Sequence, residues 1–183
     1  MKTRVLVAGI GNIFFRDDGF GPAVAAAMLS SGDVSPLPDG VRVVDYGIRG
    51  IHLAYDLLAG VDALVLIDAV PGDAPLSDAA DADRAPGSIT VLQVAPDDLG
   101  EAEFDAHGME PASVLATLGS LGGELPPTYV VGCVPADISE GIGLSDPVAA
   151  VVDEASAVVT ELVSGLVDSL VGATPAGDRG AGD

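Results

Sequence analysis

The segment ALVLIDAV at residues 63–70 constrains the fold more than any other stretch of the chain. Its apolar residues run unbroken up to Asp68, in a run too short for a core helix and apolar on both alternating faces. Such a run reads as a strand covered from both sides, the habit of a parallel sheet. A carboxylate at its end marks the point where the chain leaves the core for the rim. Comparable short runs recur at residues 4–8 (RVLVA), 41–46 (VRVVDY), 88–94 and 128–134, giving five strands in all.

Helical patterns lie between these runs. Asp17-Asp18-Gly19 precedes Phe20, Val24, Ala27 and Met28 at helical spacing. Pro22 falls in the first turn, where its missing N–H costs nothing, and Gly32 is a stop signal. Residues 50–58 predict a short helix with Ile51, Tyr55 and Leu58 on one face, and residues 112–121 another. The last helix starts near Ser145-Asp146-Pro147. Its stripe runs Val148, Val151, Val152, Ala155, Val158, Val159, Leu162, Val163, Leu166, Val167 and Leu170, with Asp153, Glu154, Glu161 and Asp168 interrupting it. That is the pattern of an amphipathic packing helix, not a membrane span. Strands alternating with helices predict an α/β fold of three layers, with a mostly parallel sheet between helices. One domain is expected over residues 1–171. Residues 71–86, rich in Pro, Gly, Ala and Asp, read as an exposed loop, and residues 172–183 as a disordered tail.

Charge excludes some partners. The chain carries 28 acidic residues against 7 Lys and Arg, a net charge of −21. Such a surface repels phosphate backbones and anionic headgroups, so neither nucleic acid nor a membrane is an expected partner. No apolar run reaches the roughly 18 residues of a spanning helix, and no signal-peptide pattern opens the chain. The single cysteine, Cys133, forbids an intrachain disulfide, which fits a reducing cytoplasm.

Sheets of this kind place their sites beyond the carboxyl ends of the strands. The first strand–helix junction, GIGNIFFRDDGFGP, has Gly9 and Gly11 in the spacing of a dinucleotide loop, but Phe14 stands where the third glycine belongs. Asp17 and Asp18 also occupy the helix N-terminus that a phosphate would need. One of the two acids can be a helix cap; the second is left unexplained. Asp68 ends the third strand, either as a turn residue or as part of a site. His107, one of only two histidines, follows the fourth strand in DAHGMEP. If the connections after strands one, three and four share a rim, Asp18, Asp68 and His107 converge as an open three-ligand set. His52 reads as a surface or packing residue and Cys133 as core. No Gly-x-Ser-x-Gly or His-Glu-x-x-His is present, so serine-hydrolase and helix-borne zinc-protease chemistry have no support.

In these contexts the chain resembles the hydrogenase maturation proteases, the endopeptidases of nickel–iron hydrogenase assembly. The matching segments are VLVAGIGNIFFRDDGFGPAVA, VVDYGIRGIHLAYDLL, LVLIDAV, AHGMEP and VVGCVPADISEGIGLSDPV, in the family's order across residues 4–150. The resemblance implies a five-stranded twisted sheet between helices. It implies one cut, removing the C-terminal extension of a large-subunit precursor after nickel insertion. It also implies that Asp18, Asp68 and His107 contact the metal. The nickel would come with the substrate, the free enzyme would hold no metal tightly, and the protein would act as a cytoplasmic monomer on its nickel-loaded precursor. Tyr46, Ile48, Val134 and the long loop at 71–86 depart from the family's pattern and are expected to bear on which large subunit is recognised. The alternative is a non-proteolytic Rossmann-like domain that binds a nucleotide or serves as an assembly scaffold.

Overall fold

The computed structural model describes residues 3–30, 37–71, 84–94 and 118–172. Within them five strands form one sheet: β1 (Val5–Ile10), β2 (Val41–Gly47), β3 (Ala63–Ala69), β4 (Ile89–Val94) and β5 (Thr128–Cys133). Their spatial order is β2-β1-β3-β5-β4. β1 pairs in parallel with β2 and β3, and β3 with β5, while β4 runs antiparallel along the outer edge of β5. A 3-10 turn, Arg16–Gly19, leads into α1 (Phe20–Ser30), followed by α2 (Gly50–Leu58), α3 (Asp146–Ala149) and α4 (Val152–Gly172).

Apolar alternation explains the layers. All six residues of β1 are buried. Val5 and Val7, with Val65, Ile67 and Val131, pack on one face against Phe20 and Val24 of α1 and Ala155, Val159 and Val163 of α4. Leu6, Ala8 and Ile10, with Leu64 and Leu66, pack on the other against Leu53, Ala54 and Leu57 of α2 and against Leu118. The expected three-layer α/β architecture is therefore present. By length and composition α4 could cross a membrane. Its whole apolar stripe, from Val152 to Leu170, is instead turned onto the α1-side core.

The chain leaves β1 for β2 on one side and returns to β3 on the other. The ends of β1 and β3 therefore frame a topological switch point, the place where sheets of this kind hold their ligands. Two glycines set how deeply α1 enters it. A Cβ on Gly21 would lie 2.2 Å from both Ile10 O and Ile67 O, and one on Gly9 would lie 2.4 Å from Gly21 O. Any side chain at either position would lift the start of α1 off the two strands.

Some boundaries differ from expectation. β3 ends at Ala69, one residue early. The last helix is split by a turn at residues 150–151, where Val151 N–H reaches Val148 O at 3.3 Å. In α2 the outward face is Ile51, Tyr55 and Leu58, all exposed. Gly50, Leu53, Ala54 and Leu57 face the sheet instead. The small residues Gly50 and Ala54 leave room for close helix–sheet approach, and that decides which apolar stripe is covered. Of the helix expected at 112–121, residues 118–120 are helical and residues up to 117 lie outside the described residues, as do Gly32, most of the loop at 71–86 and the tail beyond Gly172.

Candidate functional site

The two adjacent aspartates after β1 do different work. Asp17 is wholly buried. Its carboxylate accepts hydrogen bonds from Ser145 N–H (2.6 Å), Ser145 Oγ (2.8 Å), Ala136 N–H (2.8 Å) and Asp137 N–H (2.9 Å). All four donors lie in the connection between β5 and α3, so Asp17 caps no helix of its own. Burial by itself raises this carboxyl's pKa, but the bonds from Ser145, Asp137 and Ala136 outweigh it and hold the group below the usual carboxylate value. Backbone pairs extend the clamp: Asp17 N–H to Asp137 O (3.1 Å), Arg16 N–H to Gly141 O (3.1 Å) and Gly141 N–H to Phe14 O (2.8 Å). Arg16 sits at φ 48°, a left-handed conformation that a non-glycine residue holds only where its surroundings impose it. Its N–H bond to Gly141 and its 3.1 Å ion pair with Asp137 supply that constraint.

Asp18 is thereby carried to the switch point. Its backbone N–H donates to Phe15 O (3.1 Å), and its Oδ2 accepts from Asn12 N–H at 2.6 Å. Gly11 makes the turn possible, since at φ 128° a Cβ there would strike Asp18 O at 1.9 Å. Asp68 lies at the end of β3, against which the Arg16–Gly19 turn packs. Protein atoms crowd its carboxyl, and this desolvation pushes its pKa well above the usual carboxylate range. The nearby charge of Asp18 adds to the rise, and the 2.8 Å bond from Ala69 N–H opposes it. Two of the three expected site residues are thus within electrostatic reach of each other. The third, His107, lies outside the described residues. Among the described residues no group of three or more His, Cys, Asp and Glu is gathered to hold an ion. The Asp18–Asp68 pair nonetheless suits a divalent cation, which would relieve both their repulsion and the desolvation of Asp68.

Sequence reasoning missed Asp45. It sits at the carboxyl end of β2 in register with Gly9, and its Oδ1 is buried with no hydrogen-bond partner. A buried carboxylate oxygen without a partner is rare in a folded protein, and here it stands at the same end of the sheet as Asp68. The missing signal was positional: DYG reads as an ordinary strand end until the register places it beside β1. Of the departures noted above, Tyr46 and Val134 prove to be core residues, 3% and 7% exposed, whereas Ile48 is at the surface. Tyr46 Oη donates to Asp56, which also pairs with Arg42 at 2.9 Å. His52 is exposed, as expected. Cys133 is buried and free, and burial, followed by the charge of Asp17, pushes its thiol up to about 11. It is no nucleophile near neutral pH.

A family model described as HycI, hydrogenase maturation protease, matches residues 35–162, a span that contains Asp68 and His107. The chain is 30% identical over 177 residues to the hydrogenase 2 maturation protease of Escherichia coli, covering 94% of this chain and 96% of that one. It is 30% identical over 179 residues to the hydrogenase expression/formation protein HupD of Rhodobacter capsulatus, covering 96% and 79%. Among solved structures, the hydrogenase maturating endopeptidase HybD from E. coli superposes with a TM-score of 0.70 at 26% identity, covering 90% of this chain and 94% of that one.

Proposed function

The chain belongs to the hydrogenase maturation protease family and is an endopeptidase, and from that membership we propose that it removes the C-terminal extension of a nickel–iron hydrogenase large-subunit precursor once nickel has been inserted. In this reading the nickel belongs to the substrate. Asp18, Asp68 and His107 touch it while the precursor's own thiolates still hold it, so an unloaded precursor offers nothing to recognise. What supports the reading is the Asp18–Asp68 pair near the ends of β1 and β3, close enough that the charge of Asp18 adds to the raised pKa of the desolvated Asp68 carboxyl.

Water cleaves the peptide bond. Asp18 or Asp68, ionised once the cation is in place, takes its proton as general base. The nickel, for its part, supplies Lewis-acid polarisation of the scissile carbonyl. The free enzyme holds no metal tightly in this scheme, since two carboxylates and an imidazole leave the coordination sphere open. The work is done by a monomer in the cytoplasm, where a chain of charge −21 repels its own copies and Cys133 stays a thiol.

The test mixes the protein with nickel-loaded and nickel-free precursor and follows the mass of the large subunit. The loaded form is expected to lose its extension and the empty form to stay intact. Equal cleavage of both would defeat the nickel check, and no cleavage of the loaded form would defeat the proposed reaction. His107→Ala is expected to abolish cleavage without lowering the thermal midpoint.

A further inference from the structure

We propose that the groove between the β1–α1 connection and the β5–α3 connection docks an extended segment of the precursor that presents an apolar side chain next to a lysine or arginine. The proposal rests on the protease reading above and adds a recognition surface to it. The groove is a shallow, open one of about 340 Å³, lined by Phe14, Phe15, Glu140, Gly141 and Ile142. Phe14 is 60% exposed and Ile142 77%, and Ile13 and Ile138, on the same two connections, are more than half exposed. Apolar groups gathered in this way on a strongly acidic surface mark a docking site rather than incidental exposure.

Backbone geometry argues that the surface is preformed. Gly141 gives its N–H to Phe14 O and accepts Arg16 N–H, and the buried Asp17 carboxylate fastens both walls together. The aromatic ring is therefore mounted on a fixed backbone, and little loop entropy is lost on binding. The same bonds rule out one mode of recognition. With both of its backbone groups used, Gly141 cannot accept an added strand, so an occupant is held through its side chains.

Charge selects the occupant. Among the described residues Glu140 is the charged member of the lining, and the cation Arg16 on the adjoining loop is already paired with Asp137. The chain as a whole carries 28 acidic residues against 7 Lys and Arg. An acidic partner, including a second copy of this protein, is repelled. A segment pairing an apolar side chain with a cation satisfies both the aromatic wall and the acidic lip. One wall of the groove, Phe14 and Phe15, belongs to the loop that carries Asp18.

The experiment uses purified nickel-loaded precursor with the wild-type protein, the double variant Phe14→Ser/Ile142→Ser, and Glu140→Lys. Both altered apolar residues are exposed, so the thermal midpoint is expected to stay unchanged. The apparent KM for the double variant is expected to rise about 10- to 100-fold, the range of lost hot-spot contacts, while kcat at saturation holds. Glu140→Lys is expected to raise KM and to flatten its dependence on salt. An unchanged KM in the double variant overturns the docking assignment, as does a fall confined to kcat. Calorimetric binding of the same precursor to Asp68→Asn protein, with and without the groove substitutions, separates docking from cleavage. Groove-dependent binding without any cutting by the wild type would sink the protease reading and keep the groove. Normal cutting by the groove variant would do the reverse. Groove-dependent dimers in sedimentation, formed without precursor, would also overturn the proposal.

Discussion

Replacing Asp17 with Ala should unfasten the rim without touching the acids proposed to act. The carboxylate is fully buried and accepts three backbone N–H groups and one hydroxyl. A hydrogen bond to a charged group contributes roughly 1.5–3 kcal/mol, and a buried donor left unsatisfied costs about 1–3 kcal/mol. Adding four such terms overstates the loss, because the loops relax and water enters. The appropriate scale is the removal of one partner from a buried charge network, about 3–5 kcal/mol. Against a typical total stability of about 5–15 kcal/mol, the variant should fold but melt on the order of 10 °C lower. Asp17→Asn keeps one acceptor but turns an amide donor toward N–H groups, so it should recover only part of the loss. Acid is the second readout. A carboxyl whose pKa is lowered by folding stabilises the fold fully above its unfolded value near 3.8, and that contribution vanishes as pH falls through the folded value. The gap between wild type and Asp17→Ala, followed by urea denaturation, should therefore be constant near neutrality and close below about pH 3.8. An Asp17→Ala protein within about 1 kcal/mol of wild type at pH 7 would refute the clamp.

Three further changes test other parts of the argument. Asp68→Asn should abolish cleavage yet raise the melting temperature of the metal-free protein at neutral pH; since folding raises this carboxyl's pKa, its burden is absent in acid and grows as pH rises above about 3.8, so the stabilisation should shrink toward low pH. Gly21→Ala would push a methyl group to 2.2 Å from two strand carbonyls and should cost roughly 3 kcal/mol or more, with cleavage lost because Asp18 moves with the start of α1. Tyr46→Phe removes the hydroxyl bond to Asp56, which keeps Arg42, and should cost about 1 kcal/mol in denaturant titration while leaving cleavage unchanged.

The layers were legible because apolar alternation is a local signal: β1 and β3 are buried on both faces and read that way directly. The exposure of Ile51, Tyr55 and Leu58 was not legible. α2 carries two apolar stripes, and only contact with the sheet selects the one bearing Gly50 and Ala54. The acids divided in the same manner. Asp68 announced itself by ending an apolar run. The partition of roles between Asp17 and Asp18 depends on donors more than a hundred residues downstream, which no local pattern encodes. Asp45 was hidden for a related reason, since its significance comes from the β1–β2 register.

That partition answers a physical difficulty in the site. Two carboxylates held near each other repel, and Asp68 is desolvated as well, so the arrangement would spread apart if Asp18 sat on a loose loop. The residue immediately before it prevents this. Asp17 spends its own charge on donors from the β5–α3 connection and becomes a fixed anchor, its pKa lowered where that of Asp68 is raised. Asn12 N–H holds the Asp18 carboxylate from the other side. The glycines at positions 9 and 21 let α1 start close enough to β1 and β3 to present the pair together. Neighbouring aspartates of identical chemistry thus take opposite parts: one keeps its charge, met by hydrogen bonds that make the loop rigid, and the other is held near Asp68, whose pKa its charge raises.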